Sequence, residues 1–244
     1  MNLAIDIGNT LVKVGVFQDD TLIFNAQFQP KSAPQKLEHL RLNYPELFHV
    51  IYSASGHADD NLVNYLETNF KTHRLTHETP VNFTNRYQTP HTLGLDRIAL
   101  VAAAEYLYPE KNVLIIDAGT CVTIDFKTDK GVYLGGNISP GIEMRLKALN
   151  HYTAKLPLIE FQSPVSFPLG KNTKDAILNG VINGIVYEID TYISRYQSDY
   201  QHLTVILTGG NQQYLSTKLK SGIFADSNFQ LFGLQAILEN TLND

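Results

Sequence analysis

Apolar positions run through residues 3–17, LAIDIGNTLVKVGVF, and are interrupted at one place. The first apolar run ends in Asp6, a Gly-Asn-Thr turn follows, and a second run alternates away from it. Such a pattern predicts two β-strands joined by a tight turn, with an acid at the bend. Residues 113–126, VLIIDAGTCVTIDF, repeat it, with a strand delivering Asp117 to a Gly-Thr turn and a strand leaving. The two acids lie 111 positions apart, close to half of 244 residues. Repetition at that spacing predicts two related domains, 1–112 and 113–244, facing each other across a cleft.

The remaining elements follow from periodicity and punctuation. Strands are expected at 2–6, 10–18, 21–28 and 47–55, with a weak helix at 33–43. A helix at 59–70 places Leu62, Tyr65, Leu66 and Phe70 on one face behind an Asp cap. Residues 77–93 carry two prolines and read as a loop, and 96–107 form a strong helix beginning at Asp96. In the second half, strands fall at 113–117, 120–127, 131–138 and 204–210. Helices fall at 142–150, 173–199, about 211–220 and 230–241. Gly180 and Gly184 give the long helix one smooth face for close packing. The second half repeats the order of the first, an α/β arrangement of mixed sheets with helices outside.

Composition narrows the function. Hydrophobic content of 43% and charged content of 18% predict a soluble globular protein. A net charge of −5 argues against a nucleic-acid surface, and no Lys/Arg run opposes that. The single Cys121 rules out an internal disulfide framework and fits a reducing, cytoplasmic setting. No signal peptide or membrane span is visible. The eight His show no paired ligand spacing, and neither G-x-S-x-G nor G-x-G-x-x-G occurs. Gly170-Lys171-Asn172-Thr173 resembles the end of a Walker A motif, but Val165 stands where that motif needs Gly.

The doubled turns carry the candidate chemistry. Gly8 and Gly119 permit tight turns or close approach to a ligand. Backbone N–H groups there, with the Thr10 and Thr120 hydroxyls, suit phosphate. Asp6 and Asp117 would hold a cation that bridges to it, as Mg²⁺ does at nucleotide sites, and Lys13 adds positive charge. The plainer reading is two ordinary hairpins, and the duplication favours the phosphate site. Gly94-Leu95-Asp96-Arg97 opens a helix, so Asp96 is either a cap or a carboxylate that accepts the proton of an attacking hydroxyl. Arg97 could fork onto a substrate carboxylate. Asn172 or Thr173 caps the long helix or meets a ligand, and Thr208-Gly209-Gly210 is either a strand-end turn or a seat for a nucleotide.

Taken in order, these motifs, with Gly135-Gly136, Pro140-Gly141 and Gly180, resemble the actin-like ATPase superfamily of sugar kinases, heat-shock proteins and actin. Within it, the set from about residue 2 to 240 resembles the type III pantothenate kinases. The resemblance implies two duplicated ribonuclease-H-like domains and ATP-dependent phosphorylation of the pantothenate primary hydroxyl, the first step of coenzyme A synthesis. It implies an ATP phosphate loop of Asp6, Ile7, Gly8, Asn9, Thr10, Leu11, Val12 and Lys13, with Thr120 as its counterpart. It makes Asp96 the proton acceptor, groups Tyr87, Gly94, Leu95, Asp96, Arg97 and Thr173 as pantothenate contacts, and makes Asp117 the ligand of a monovalent cation, K⁺ or NH₄⁺. It further implies a homodimer with the substrate pocket at the subunit interface, the 136–141 segment contributing. Cys121 departs from the usual Ala, and residues 53–57 depart from the usual turn. A non-catalytic, nucleotide-binding accessory protein of the same fold is the alternative, and a kinase for another small hydroxylated substrate is a third. Asp96 beside Arg97 argues for the enzyme, since a pure binder needs no base.

Overall fold

The computed structural model describes residues 1–8, 10–54, 60–161, 169–220 and 222–243. Its first elements are β1 (Asn2–Ile7), β2 (Val12–Gln18), β3 (Thr21–Phe28), α1 (Ala33–Asn43), β4 (His49–Ala54), α2 (Asp60–Asn69), β5 (Lys71–Arg74), β6 (Thr84–Asn85) and α3 (Leu95–Leu107). There follow β7 (Val113–Ala118), β8 (Cys121–Lys127), β9 (Val132–Pro140), α4 (Ile142–His151), α5 (Thr173–Asp199), β10 (Thr204–Thr208), α6 (Gln212–Ser216), β11 (Phe224–Ala225) and α7 (Phe229–Asn243). Packing gathers these into two compact units that are discontinuous in sequence. The first comprises Met1–Glu110, Lys127–Leu134 and Asn228–Asp244, and the second comprises Lys111–Phe126 and Gly135–Ser227.

In the first unit the sheet order is β3-β2-β1-β4-β5. The β1–β2–β3 meander is antiparallel, and β4 and β5 are added in parallel. β1 is central, so Leu3, Ala4 and Ile5 are all fully buried, as expected of a strand covered on both faces. β3 lies at the edge and alternates between exposed and half-buried residues. One face packs Leu3, Ile5, Val14 and Val16 with Leu37 of α1 and Leu66 of α2. Glu38 on α1 accepts hydrogen bonds from Arg41 at 2.8 Å and from Tyr65 of α2 at 2.7 Å. Those donors, Arg41 foremost, hold its carboxyl down at about 2. Helices α3 and α7 pack closely together. A Cβ at Gly233 would overlap the Ala99 carbonyl, so glycine sets how near α7 can come.

The second sheet repeats the first. Its order is β11-β10-β7-β8-β9-β6, and read back from β9 to β11 it has the same third-second-first-fourth-fifth arrangement counted from β7. β10 runs parallel to β7, and β11 runs parallel to β10. Its core packs Leu114 and Ile116 of β7 and Ile124 and Phe126 of β8 with Ile182, Ile185 and Ile189 of α5. Gly180 lies on the opposite side of α5, where an added Cβ would meet nothing within 4 Å. The first residues of β9, which belong to the first unit, pair in parallel with β6.

The expected class, α/β with mixed sheets flanked by helices, is the one found. Three short elements escaped the sequence. β5 is the polar tetrapeptide Lys71–Arg74, and β6 and β11 have two residues each, too few to display a period. Pro90–Thr92 form a 3₁₀ turn inside the expected loop. The expected helix over 211–220 contracts to Gln212–Ser216.

Candidate functional site

In the first unit, β1 carries Asp6 to the bend, and strand register supplies its surroundings. Lys13 is its direct antiparallel partner on β2, and Ser53 its parallel partner on β4. The Ser53 hydroxyl donates to Asp6 Oδ1 at 3.0 Å. Asp6 is only half-buried by accessible surface, yet its carboxyl is closely surrounded, and this desolvation pushes its pKa above the usual carboxylate value. Lys13 and Ser53 pull the other way, and the negative charge of Asp96 pushes up again. Burial wins, so the site favours a cation or a proton beside Asp6. The Gly8 N–H donates to the Leu11 carbonyl at 3.0 Å. That amide is thereby used to close the turn, and Thr10, exposed at its tip, is left as the outward hydroxyl. Leu11 is also exposed, Ile7 and Val12 are buried, and Asn9 lies outside the described residues.

Asp96 sits in the first turn of α3. The N-cap residue is Gly94, which has no side chain to cap with, and Asp96 Oδ1 accepts the Arg97 backbone N–H at 2.9 Å. A Cβ at Gly94 would run into the Asp96 carboxylate, so glycine keeps room for it. Leu95 beside it is half-buried. Arg97 is 3% exposed. Its guanidinium donates to the Tyr133 hydroxyl at 2.8 Å and lies 5.5 Å from the centre of the Tyr87 ring. Thus Asp6, Lys13, Tyr87, Gly94, Leu95, Asp96 and Arg97 belong to one unit, with the charge of Asp96 felt at Asp6.

In the second unit, β7 delivers Asp117 to the corresponding bend. The Gly119 N–H donates to the Cys121 carbonyl at 3.0 Å, closing a turn one residue shorter than the first. Thr120 is exposed at its tip. Two further glycine motifs converge here. The Gly141 N–H donates to the Thr120 carbonyl at 3.1 Å, and a Cβ on Gly141 would lie 2.5 Å from that oxygen. Thr208 is the parallel partner of Asp117 on β10. Gly209 has φ +91° and backs onto Asp117 and Ala118, where a side chain would collide. The three motifs therefore form one surface of backbone and small residues, suited to a flat or anionic ligand.

The sequence matches the family model for type III pantothenate kinase over residues 2–195. It is 48% identical over 239 residues to the type III pantothenate kinase of Christiangramia forsetii, covering 98% of both chains. The chain belongs to the type III pantothenate kinase family. The fold resembles a Baf family protein from Campylobacter jejuni, with a TM-score of 0.63, 24% identity, and coverage of 99% of this chain and 100% of that one. It also resembles a glucokinase from an Antarctic psychrotroph, with a TM-score of 0.54, 14% identity, and 98% of each chain covered. The family's fold is thus the actin-like ATPase and sugar-kinase fold.

Thr173 belongs to the second unit. It is the exposed first residue of α5, and Asn172 caps that helix by accepting the Asp175 N–H at 2.9 Å. Thr173 lines a groove of about 860 Å³ between α4 and α5, shared with Arg145, Tyr152 and Gly180. Two contributors were not foreseen. Ser53 meets Asp6 only through the register of β1 with β4. Tyr133, on β9, reaches Arg97 only through tertiary packing. Neither has a local sequence signal. Among the described residues no group of three or more His, Cys, Asp or Glu could hold a metal ion. Nor is any described helix long and apolar enough to cross a membrane.

Proposed function

We propose that this type III pantothenate kinase transfers the terminal phosphoryl group of ATP to the primary hydroxyl of pantothenate, giving 4′-phosphopantothenate and ADP, the first step of coenzyme A synthesis. The observation that carries this reading is the position of Asp96. It lies in the same unit as the desolvated Asp6 and next to Arg97, with Arg97 over Tyr87. Asp96 orients the hydroxyl and accepts its proton as the new P–O bond forms and the bond to ADP breaks. Arg97 pairs with the pantothenate carboxylate, Tyr87 covers the substrate chain, and Gly94 and Leu95 border it. In the first unit the turn from Asp6 to Lys13 binds phosphate; in the second, Thr120 is its counterpart, and the Thr208-Gly209-Gly210 turn is the seat for the nucleoside. Asp6 would hold Mg²⁺ and Asp117 would hold K⁺ or NH₄⁺, and such ions would supply charge neutralisation for phosphate. The raised pKa of Asp6 and the bare glycine surface around Asp117 fit such an occupancy.

The test is an assay with ATP, Mg²⁺ and pantothenate across K⁺, NH₄⁺ and Na⁺, read by product mass. Phosphopantothenate forming only with K⁺ or NH₄⁺ is expected. ATP binding with no product under any cation would instead favour a nucleotide-binding accessory protein.

The active form we propose is a cytoplasmic homodimer with no nucleic-acid or membrane partner. The groove between α4 and α5 supports the dimer, with Thr173 and the 83% exposed Tyr152 among its lining residues. Gly180→Leu adds bulk to that face while improving helix propensity, by about 1 kcal/mol on that count alone. Sedimentation should find the unsubstituted chain at twice 27.3 kDa and the folded variant at the single mass. An unchanged dimer in the variant would place the interface elsewhere.

A further inference from the structure

We propose that Gln230 is a positioning residue that, together with Ser53, holds the Asp6 carboxylate in the direction in which it receives the cation of Mg²⁺–ATP. This rests on the proposed role of Asp6 at the phosphates. Gln230 is the second residue of α7 and is 8% exposed. Two contacts fix how α7 lies on the sheet. Toward its far end, Glu239 Oε1 accepts from Asn2 Nδ2 at 2.6 Å, at the start of β1. Near its beginning, Leu231 reaches Gly15 of β2, where an added Cβ would lie 3.1 Å from its Cδ1. Gly15 is two positions from Lys13, the strand partner of Asp6. The helix therefore runs antiparallel to β1. The helical stretch from 230 to 239 and the strand from 2 to 6 each span about 13 Å. Gln230 is thereby brought level with Asp6 at the end of the strand.

Two observations say what its amide does there. Gln230 Nε2 is buried and completes no hydrogen bond, whereas buried donors are normally paired. The Gln230 side chain is also one of the groups that draw the Asp6 pKa down against the effect of burial, as a donor turned toward a carboxylate does. The amide thus faces Asp6 from α7, while the Ser53 hydroxyl donates to Oδ1 from β4 at 3.0 Å. The bond closes as Asp6 turns to meet the cation, so its contribution falls on the loaded state. Groups that hydrogen-bond a metal-binding carboxylate fix its direction, and their loss weakens metal binding by about 10–100-fold. A neutral amide does this without adding to the negative charges of Asp6 and Asp96.

Gln230→Met keeps the length of the side chain and removes its donor. Calorimetric titration should give a Kd for Mg²⁺–ATP raised about tenfold, with a matching rise in KM for ATP. KM for pantothenate should stay within about twofold, because the substitution leaves Asp96, Arg97 and Tyr87 in place. The ligand-free variant should melt no lower than the unsubstituted chain, since what it loses is a buried donor with no acceptor. Gln230→Leu removes the same donor with a different shape and should give the same result. An unchanged Kd for Mg²⁺–ATP in either variant overturns the positioning role while leaving the kinase reading intact. So does an equal rise in KM for pantothenate, or a lowered melting temperature without ligand, since both are marks of lost packing. An unsubstituted chain that does not bind Mg²⁺–ATP overturns both.

Discussion

Asp96→Asn is expected to slow pantothenate phosphorylation by about 10²–10⁴-fold, the usual worth of a positioned general base. ATP affinity should stay within about twofold. Asparagine retains the oxygen that accepts the Arg97 N–H at 2.9 Å, so the first turn of α3 keeps its hydrogen bond. It cannot take a proton from the attacking hydroxyl. The loss should therefore appear in kcat, with KM for pantothenate little changed. Steady-state kinetics beside an ATP titration separates the two, and a variant that turns over at the original rate would remove Asp96 from the chemistry.

Asp6→Asn should stabilise the ligand-free protein and inactivate it. The carboxyl of Asp6 has its pKa raised by burial, with Asp96 adding to the shift. A group raised in the folded state contributes stability below its unfolded pKa, and that contribution is lost as pH rises through the folded value. At neutral pH ionised Asp6 is thus a net cost to the folded state, despite Lys13 and the Ser53 hydrogen bond. Asparagine removes the charge and can still accept from Ser53. Tm at pH 7 should rise by roughly 2–4 °C, the response of a chain this size to about 1 kcal/mol. The gain should shrink as pH falls toward the unfolded value of 3.8. Thermal stabilisation by Mg²⁺ and ATP should vanish in the same variant, and turnover with it. A Tm that drops at pH 7 would mean that Lys13 and Ser53 outweigh the desolvation.

The two predictions share a cause. Asp6 and Asp96 are like charges in one unit, an arrangement that costs stability without a cation and suits a triphosphate with its metal. In the sequence these acids were 90 positions apart and belonged to separate motifs. What made each visible was local: a period-two run ending in acid and glycine, and a helix start beginning Gly-Leu-Asp-Arg. The glycine at 94 was legible as part of a motif, but its use, leaving room for the Asp96 carboxylate, was not.

Amino-acid order alone determined the duplication, because a strand–turn–strand unit writes its own period and its own breakers into consecutive residues. It determined the α/β class for the same reason, and the turn residues and family motifs that follow from both. Tertiary structure decided what no window of neighbouring residues records. Register set Ser53 and Lys13 on either side of Asp6, packing brought Gly141 and Gly209 to the Asp117 turn, and α7, from the end of the chain, joined the first unit. Tyr133 came to accept a hydrogen bond from Arg97 in the same way. Contacts across strands and between distant segments depend on how whole sheets and helices bury their apolar faces, so they emerge only when the chain is folded.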